Sequence, residues 1–231
     1  MTGKLLIFAI STLLTVAPAS AVTFLQFFQQ NGLLTPFTLT NTGSGISIST
    51  NSAIEYKFAV PNALGTASRL GTMVFTASST AFATDGGSTN IAEGGFSGIG
   101  DIFDTATGTL ALHWTFGNTG AILVNSAGTG GTFTDSRPGP TEVVFSSPYL
   151  NFDLATFGSF SFGLSGATSL WASDGGTFPP CATCRIASNS ASFAGTMDAI
   201  PTPTAPEPST MALLGSALIS LGLFGRKRLT R

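Results

Sequence analysis

The chain has 231 residues, a formal charge of −2 and only 9 % charged side chains, with 28 Gly and 20 Phe. So little basic charge excludes a phosphate-binding face for nucleic acid, and so many aromatics exclude a disordered chain.

Residues 1–21 read as a secretory signal peptide. Lys4 supplies a positive n-region, Leu5 to Val16 an apolar h-region, and Ala19-Ser20-Ala21 a small-residue cleavage site, so the mature chain is expected to start at Val22. This places the Sec machinery and signal peptidase among the expected partners. The body, residues 22–198, holds four basic residues (Lys57, Arg69, Arg137, Arg185) against ten acidic ones. It is long enough for one sizeable core.

Period-two alternation runs through this body. Ile54, Tyr56, Phe58 and Val60 alternate with Glu55, Lys57 and Ala59, and Leu110, Leu112, Trp114 and Phe116 alternate with Ala111, His113 and Thr115. Gly117-Asn118-Thr119-Gly120 then reads as a hairpin loop before Ala121 to Val124. Further strands are expected at 24–28, 37–40, 46–50, 73–77, 143–146, 150–154, 160–164, 169–172 and 192–197, with Gly/Ser/Thr-rich loops at 83–100 and 126–140. No stretch of the body carries a helical period. The expected fold is all-β, an antiparallel β-sandwich or jelly roll.

Chemistry-bearing residues are sparse. Cys181-Ala182-Thr183-Cys184 lacks the strand-to-helix setting of a redox CxxC, and a zinc site would need two further ligands where the chain offers one histidine, His113. A local disulfide in an oxidising compartment remains, contributing about 2 kcal/mol on the chain-entropy model. His113 falls on the polar face of its strand, with no Gly-x-Ser-x-Gly nucleophile motif to serve. Asp85, Asp101, Asp104 and Asp174 could supply oxygens to calcium, but without the graded spacing of an EF-hand loop, and Asp-Gly is first of all a turn signal. No metal site and no catalytic set is therefore assigned, and no cofactor is expected beyond that calcium option. Among Tyr56, Trp114, Tyr149 and Trp171, only Trp171, beside the cysteine loop, is a candidate for ligand contact. A glycosidase reading would need two carboxylates across a cleft, and pairs such as Glu93 with Asp101 or Asp104 could in principle supply them.

Residues 199–205, with Pro201 and Pro203, read as an extended linker. Pro206-Glu207-Pro208-Ser209-Thr210 follows, rigid because each Pro fixes φ and lacks a donor. From 210 to 225 no side chain is charged, and a helix there spans about 25 Å, slightly short of the ~30 Å hydrocarbon core. Arg226, Lys227, Arg228 and Arg231 then form a basic stop that stays cytoplasmic by the positive-inside rule.

This order of triplet, glycine-interrupted apolar helix and basic tail over residues 206–231 resembles the PEP-CTERM sorting signal of bacterial envelope proteins. The resemblance implies recognition by an exosortase-type membrane peptidase, removal of the helix, and delivery to the cell surface or exopolysaccharide matrix of a Gram-negative-type bacterium. Together these readings lead to a non-enzymatic surface or matrix protein. A secreted carbohydrate-binding module or carbohydrate-active enzyme, anchored by its C-terminal helix, is the alternative.

Overall fold

Strands of this chain have two chemically different faces because large apolar residues alternate with Ser, Thr and charged residues. In residues 46–58, Ile46, Ile48, Ile54, Tyr56 and Phe58 are buried while Ser47, Ser49, Asn51 and Lys57 face water. The computed structural model describes residues 21–30, 36–138, 143–151 and 157–199.

Among them are eleven strands and no helix: β1 (Val22–Gln29), β2 (Phe37–Asn41), β3 (Ile46–Phe58), β4 (Arg69–Ser79), β5 (Thr84–Gly87), β6 (Asn90–Asp104), β7 (Leu110–Asn125), β8 (Gly131–Pro138), β9 (Val143–Ser146), β10 (Phe157–Ser165) and β11 (Asn189–Ala199). Their antiparallel pairings run β1, β3, β4, β6, β7, β8, β10, β11 and back to β1, so eight strands close an up-and-down barrel. Three places in the ring are filled by two pieces in tandem. β2 continues β1 between β3 and β11, β5 continues β4 beside β6, and β9 continues β8 beside β7.

The expected sandwich is thus corrected to a barrel. Both architectures demand the same alternation; what separates them is the pairing of the first strand with the last, Val22 opposite Ala199, which closes the sheet on itself. The expected loop at 83–100 is instead β5 and most of β6, and that at 126–140 contains β8. Gly117 to Gly120 is no hairpin but part of the 16-residue strand β7, opposite irregularities of β6 between Glu93 and Gly98. Bulges bend two long strands together where tight turns were expected. Residues 169–172 are not a strand either, and the expected strand at 150–154 falls largely outside the described residues.

The barrel is full. Phe75 sits among Phe37, Trp114, Phe116, Phe133, Phe160 and Phe162, with centroids 5.3 to 6.5 Å away and several of the pairs edge-to-face. Glycine makes room for these rings. A Cβ on Gly100 would lie 2.1 Å from the Trp114 ring, and one on Gly195 would lie 2.7 Å from Phe27 and 3.0 Å from Phe162.

Ala199, the end of β11, pairs with both Val22 and Gly158, so the described chain begins and ends at one mouth of the barrel, here the tail end. The turn 59–68 and the turn from β6 to β7 share that end. The opposite mouth is crossed by residues 166–188, here the cap.

Gly100→Ala is expected to cost about 1–3 kcal/mol in a denaturant melt, because Trp114 cannot withdraw from a filled interior. Gly163→Ala, whose Cβ would meet nothing closer than 3.7 Å, should change stability little.

Candidate functional site

Two buried polar clusters, one at each mouth, and one polar pair on the outer wall hold most of the ionisable chemistry of the described barrel. At the tail end, Asp104 closes β6 with an inward carboxylate. Its Oδ2 accepts from the Tyr56 hydroxyl at 2.6 Å and Arg69 Nε at 2.6 Å, while Oδ1 accepts from Arg69 Nη2 at 3.0 Å and from the Thr107 N–H at 2.9 Å. The Arg69 guanidinium holds the Asp104 carboxyl well below the usual carboxylate range, and burial, with Asp104 beside it, drives the Tyr56 phenol up. Thr107, Thr109 and Tyr149 extend the network by hydroxyl contacts of 2.7 and 3.0 Å. With five donated hydrogen bonds, Asp104 is committed to locking the β6–β7 turn.

The cap is assembled from backbone and side-chain bonds to turns all around its mouth. Ala167 and Trp171 donate their N–H groups to Thr129 and Gly128 of the β7–β8 turn, and Ala83 donates to Cys184. The Arg185 guanidinium reaches the carbonyls of Gly43, Ser44 and Thr80 at 3.0 to 3.2 Å and lies 4.3 Å over the Phe82 ring. Asp174 accepts from the Arg185 N–H and from Asn41 Nδ2. Cys181 and Cys184 are joined in a disulfide within the cap, as the sequence leads one to expect.

One cap contact goes to an acidic side chain of the barrel wall. Glu93 on β6 is 1 % exposed; its Oε2 accepts from the Ile186 N–H at 2.8 Å, and its Oε1 has no hydrogen-bond partner. Burial pushes its pKa up to about 7, against the lowering influence of the Ile186 N–H and Arg185. Glu93 shares the inward parity of Ile91, so a lone acid in an apolar alternation was the available signal, and it is legible only when 90–104 is known to be a strand.

On the outer wall, Asp101 and His113 face each other across β6 and β7, with Oδ1 and Nδ1 2.7 Å apart. Among the described residues this is the only hydrogen-bond partner of the imidazole.

Other sequence-selected residues scatter. Trp171 is 1 % exposed and part of the core, which corrects its candidacy for ligand contact, and Tyr56 and Trp114 are buried as well. Glu93 faces inward at the cap end, Asp101 outward, and Asp104 inward at the tail end, so the glycosidase pairing does not assemble. Asp85 caps the N–H of Gly87, and the four aspartates considered for calcium serve four separate sites; among the described residues no three His, Cys, Asp or Glu gather. An open groove of about 310 Å³ lies between Asn90, Leu123, Asn125 and Thr132. Ala19 of the cleavage site, the motif Pro206 to Thr210, the 210–225 helix and Arg226, Lys227, Arg228 and Arg231 lie outside the described residues. Among the described residues no helix is long and apolar enough to cross a membrane.

Asp104→Asn is expected to destabilise the barrel by about 3 kcal/mol, by leaving Arg69 beside a neutral amide and Tyr56 without its acceptor. Since the folded pKa of Asp104 is depressed, its contribution is present above the unfolded value near 4 and is lost as pH falls below it. Thermal melts of wild type and Asp104→Asn should therefore stay a constant distance apart from pH 7 to about pH 5 and begin to approach one another only below about pH 4.

No curated protein and no solved structure matches this chain. Residues 204–228 match the family model described as the PEP-CTERM protein-sorting motif. That match takes in the Pro-Glu-Pro triplet, the apolar run and Arg226 to Arg228, so this chain carries a PEP-CTERM sorting motif, the mark of an exported protein that an exosortase processes.

Proposed function

We propose that this protein is a non-enzymatic component of the cell surface or exopolysaccharide matrix, a β-barrel exported through its signal peptide and released or anchored at the envelope through residues 206–231. The match at 204–228 carries this reading. The filled interior supports it: an eight-stranded barrel either packs its lumen with side chains or holds one small ligand, and here aromatic rings occupy the lumen. A carrier role is thereby disfavoured.

Barrel geometry also suits tethering. The last described residue, Ala199, leaves the tail end, so the sorting segment follows from one mouth while the disulfide-bearing cap stands at the other. Polar outward residues such as Ser47, Ser49, Asn51 and Lys57 on β3 present a hydrated wall, the reverse of the apolar-out alternation of lipid-facing strands. Sugar stacking through Tyr56, Trp114 or Trp171 has no support, since all three are buried.

Intact-mass measurement on surface, membrane and medium fractions of the native host tests the reading. A species beginning at Val22 and ending between Pro206 and Thr210 is expected in the surface or medium fraction. A species retaining Arg231 only in the membrane fraction would replace exosortase release with a lasting anchor.

A further inference from the structure

The cap closes the mouth with contacts of two kinds. Most run between backbone groups, or from the Arg185 guanidinium to carbonyls, and are insensitive to pH over the ordinary range. Two contacts use a carboxylate: at the exposed rim Asn41 Nδ2 donates to Asp174 Oδ2, and inside the barrel the Ile186 N–H donates to Glu93 Oε2, where a titratable side chain of the wall holds the cap by its backbone. Ile186 itself is fully buried, and Ser173 pairs with it in an isolated bridge that folds the cap back on itself.

Glu93 is poorly equipped to carry charge. Oε1 is buried without a donor, and a carboxylate with an unsolvated oxygen is strongly disfavoured until water or a donor reaches it. The charged groups acting on it both belong to the cap. Arg185 favours ionisation but its terminal nitrogens are committed to Gly43, Ser44 and Thr80, while Asp174 opposes it. From the wall, Ile122 on β7 is its apolar ladder partner, and Ser79 on β4 spends its hydroxyl on the Gly94 carbonyl. No wall residue is placed to donate to Oε1.

We propose that Glu93 is a pH-operated latch for the cap: protonated, it holds residues 166–188 over the barrel mouth, and ionised, it drives the cap open to admit water to Oε1. Opening uncovers Trp171 and Ile186, both closed off from solvent in the latched state. The linkage sign follows from the raised folded pKa: the latch is fully effective below the unfolded value near 4.5 and is lost as pH rises through about 7. Mildly acidic surroundings keep the mouth closed, and alkaline ones open it.

Hydrogen–deuterium exchange on the disulfide-intact protein, at pH 5.5, 7 and 8.5 and corrected for intrinsic exchange, tests the latch. Protection of the Ala83, Trp171 and Ile186 amides, whose bonds cross between cap and barrel, is expected to fall by up to about tenfold per pH unit between pH 5.5 and 7 and to level off by pH 8.5, as a single ionisation dictates. Amides of β4 and β11 should keep theirs. Glu93→Gln retains the acceptor for Ile186 without the charge and should make cap protection flat with pH. Cap protection that stays constant in wild type, or falls equally in Glu93→Gln, overturns the proposal. A parallel loss in β4 and β11 also overturns it, since that is global unfolding, and the wild-type comparison of cap with strands decides even if the variant does not fold.

Discussion

Everything in this structure depends on the pairing of β1 with β11. With Val22 opposite Ala199 and Phe28 opposite Ala194, the sheet has no free lateral edge at that seam, and its inward side chains are forced into one enclosed volume. The ring's even strand number lets the N- and C-terminal strands meet antiparallel, and each connection needs to reach only its neighbour. The aromatic cluster around Phe75 is the energetic counterpart of that closure, because a flat sheet of the same strands would leave those rings half in water.

The ends of a barrel are its weak points, and this chain treats them differently. At the tail end a saturated network around Asp104 ties a turn with ordinary, fully satisfied chemistry. At the cap end a long connection with little regular structure crosses the mouth, stiffened by Cys181–Cys184 and held by an acid that is only half satisfied. Natural structures keep nearly every buried polar atom paired, and at the cap end Glu93 Oε1, Trp171 Nε1 and Arg185 Nε are all left without a partner, Glu93 being the acid among them. The satisfied end is the one at which β11 finishes, at Ala199.

Strand content was legible in the sequence wherever large apolar residues kept strict alternation, as at Ile54 to Phe58 and Leu110 to Phe116. It failed where glycines cluster, as in β6 and the middle of β7, whereas the single Gly163 and Gly195 did not hide β10 and β11. Gly94, Gly95, Gly98 and Gly100 made β6 read as loop, although their role is to bend a long strand and to leave space for Trp114 and Phe116. Gly117 and Gly120 turned one strand into an apparent hairpin for the same reason. The polar sites fared worse. Asp101 meets His113 and Asp104 meets Arg69 and Tyr56 only through register, which no local pattern encodes, and Trp171, a ligand-contact candidate by its place beside the cysteine loop, is buried by the way the cap folds over the mouth.

Residues 204–228, by contrast, are informative as sequence, since a sorting signal is read as an ordered string of rigid, apolar and basic segments. The sequence by itself therefore determined the sorting motif, the all-β character and the cysteine pairing, each a local property of composition, alternation or spacing. Tertiary structure alone decided that the sheet closes into a barrel, that its lumen is filled, and that Glu93 stands beneath the cap. Those follow from contacts between residues up to 177 positions apart, such as Val22 with Ala199, whose energies depend on enclosure and burial rather than on any neighbour in the chain.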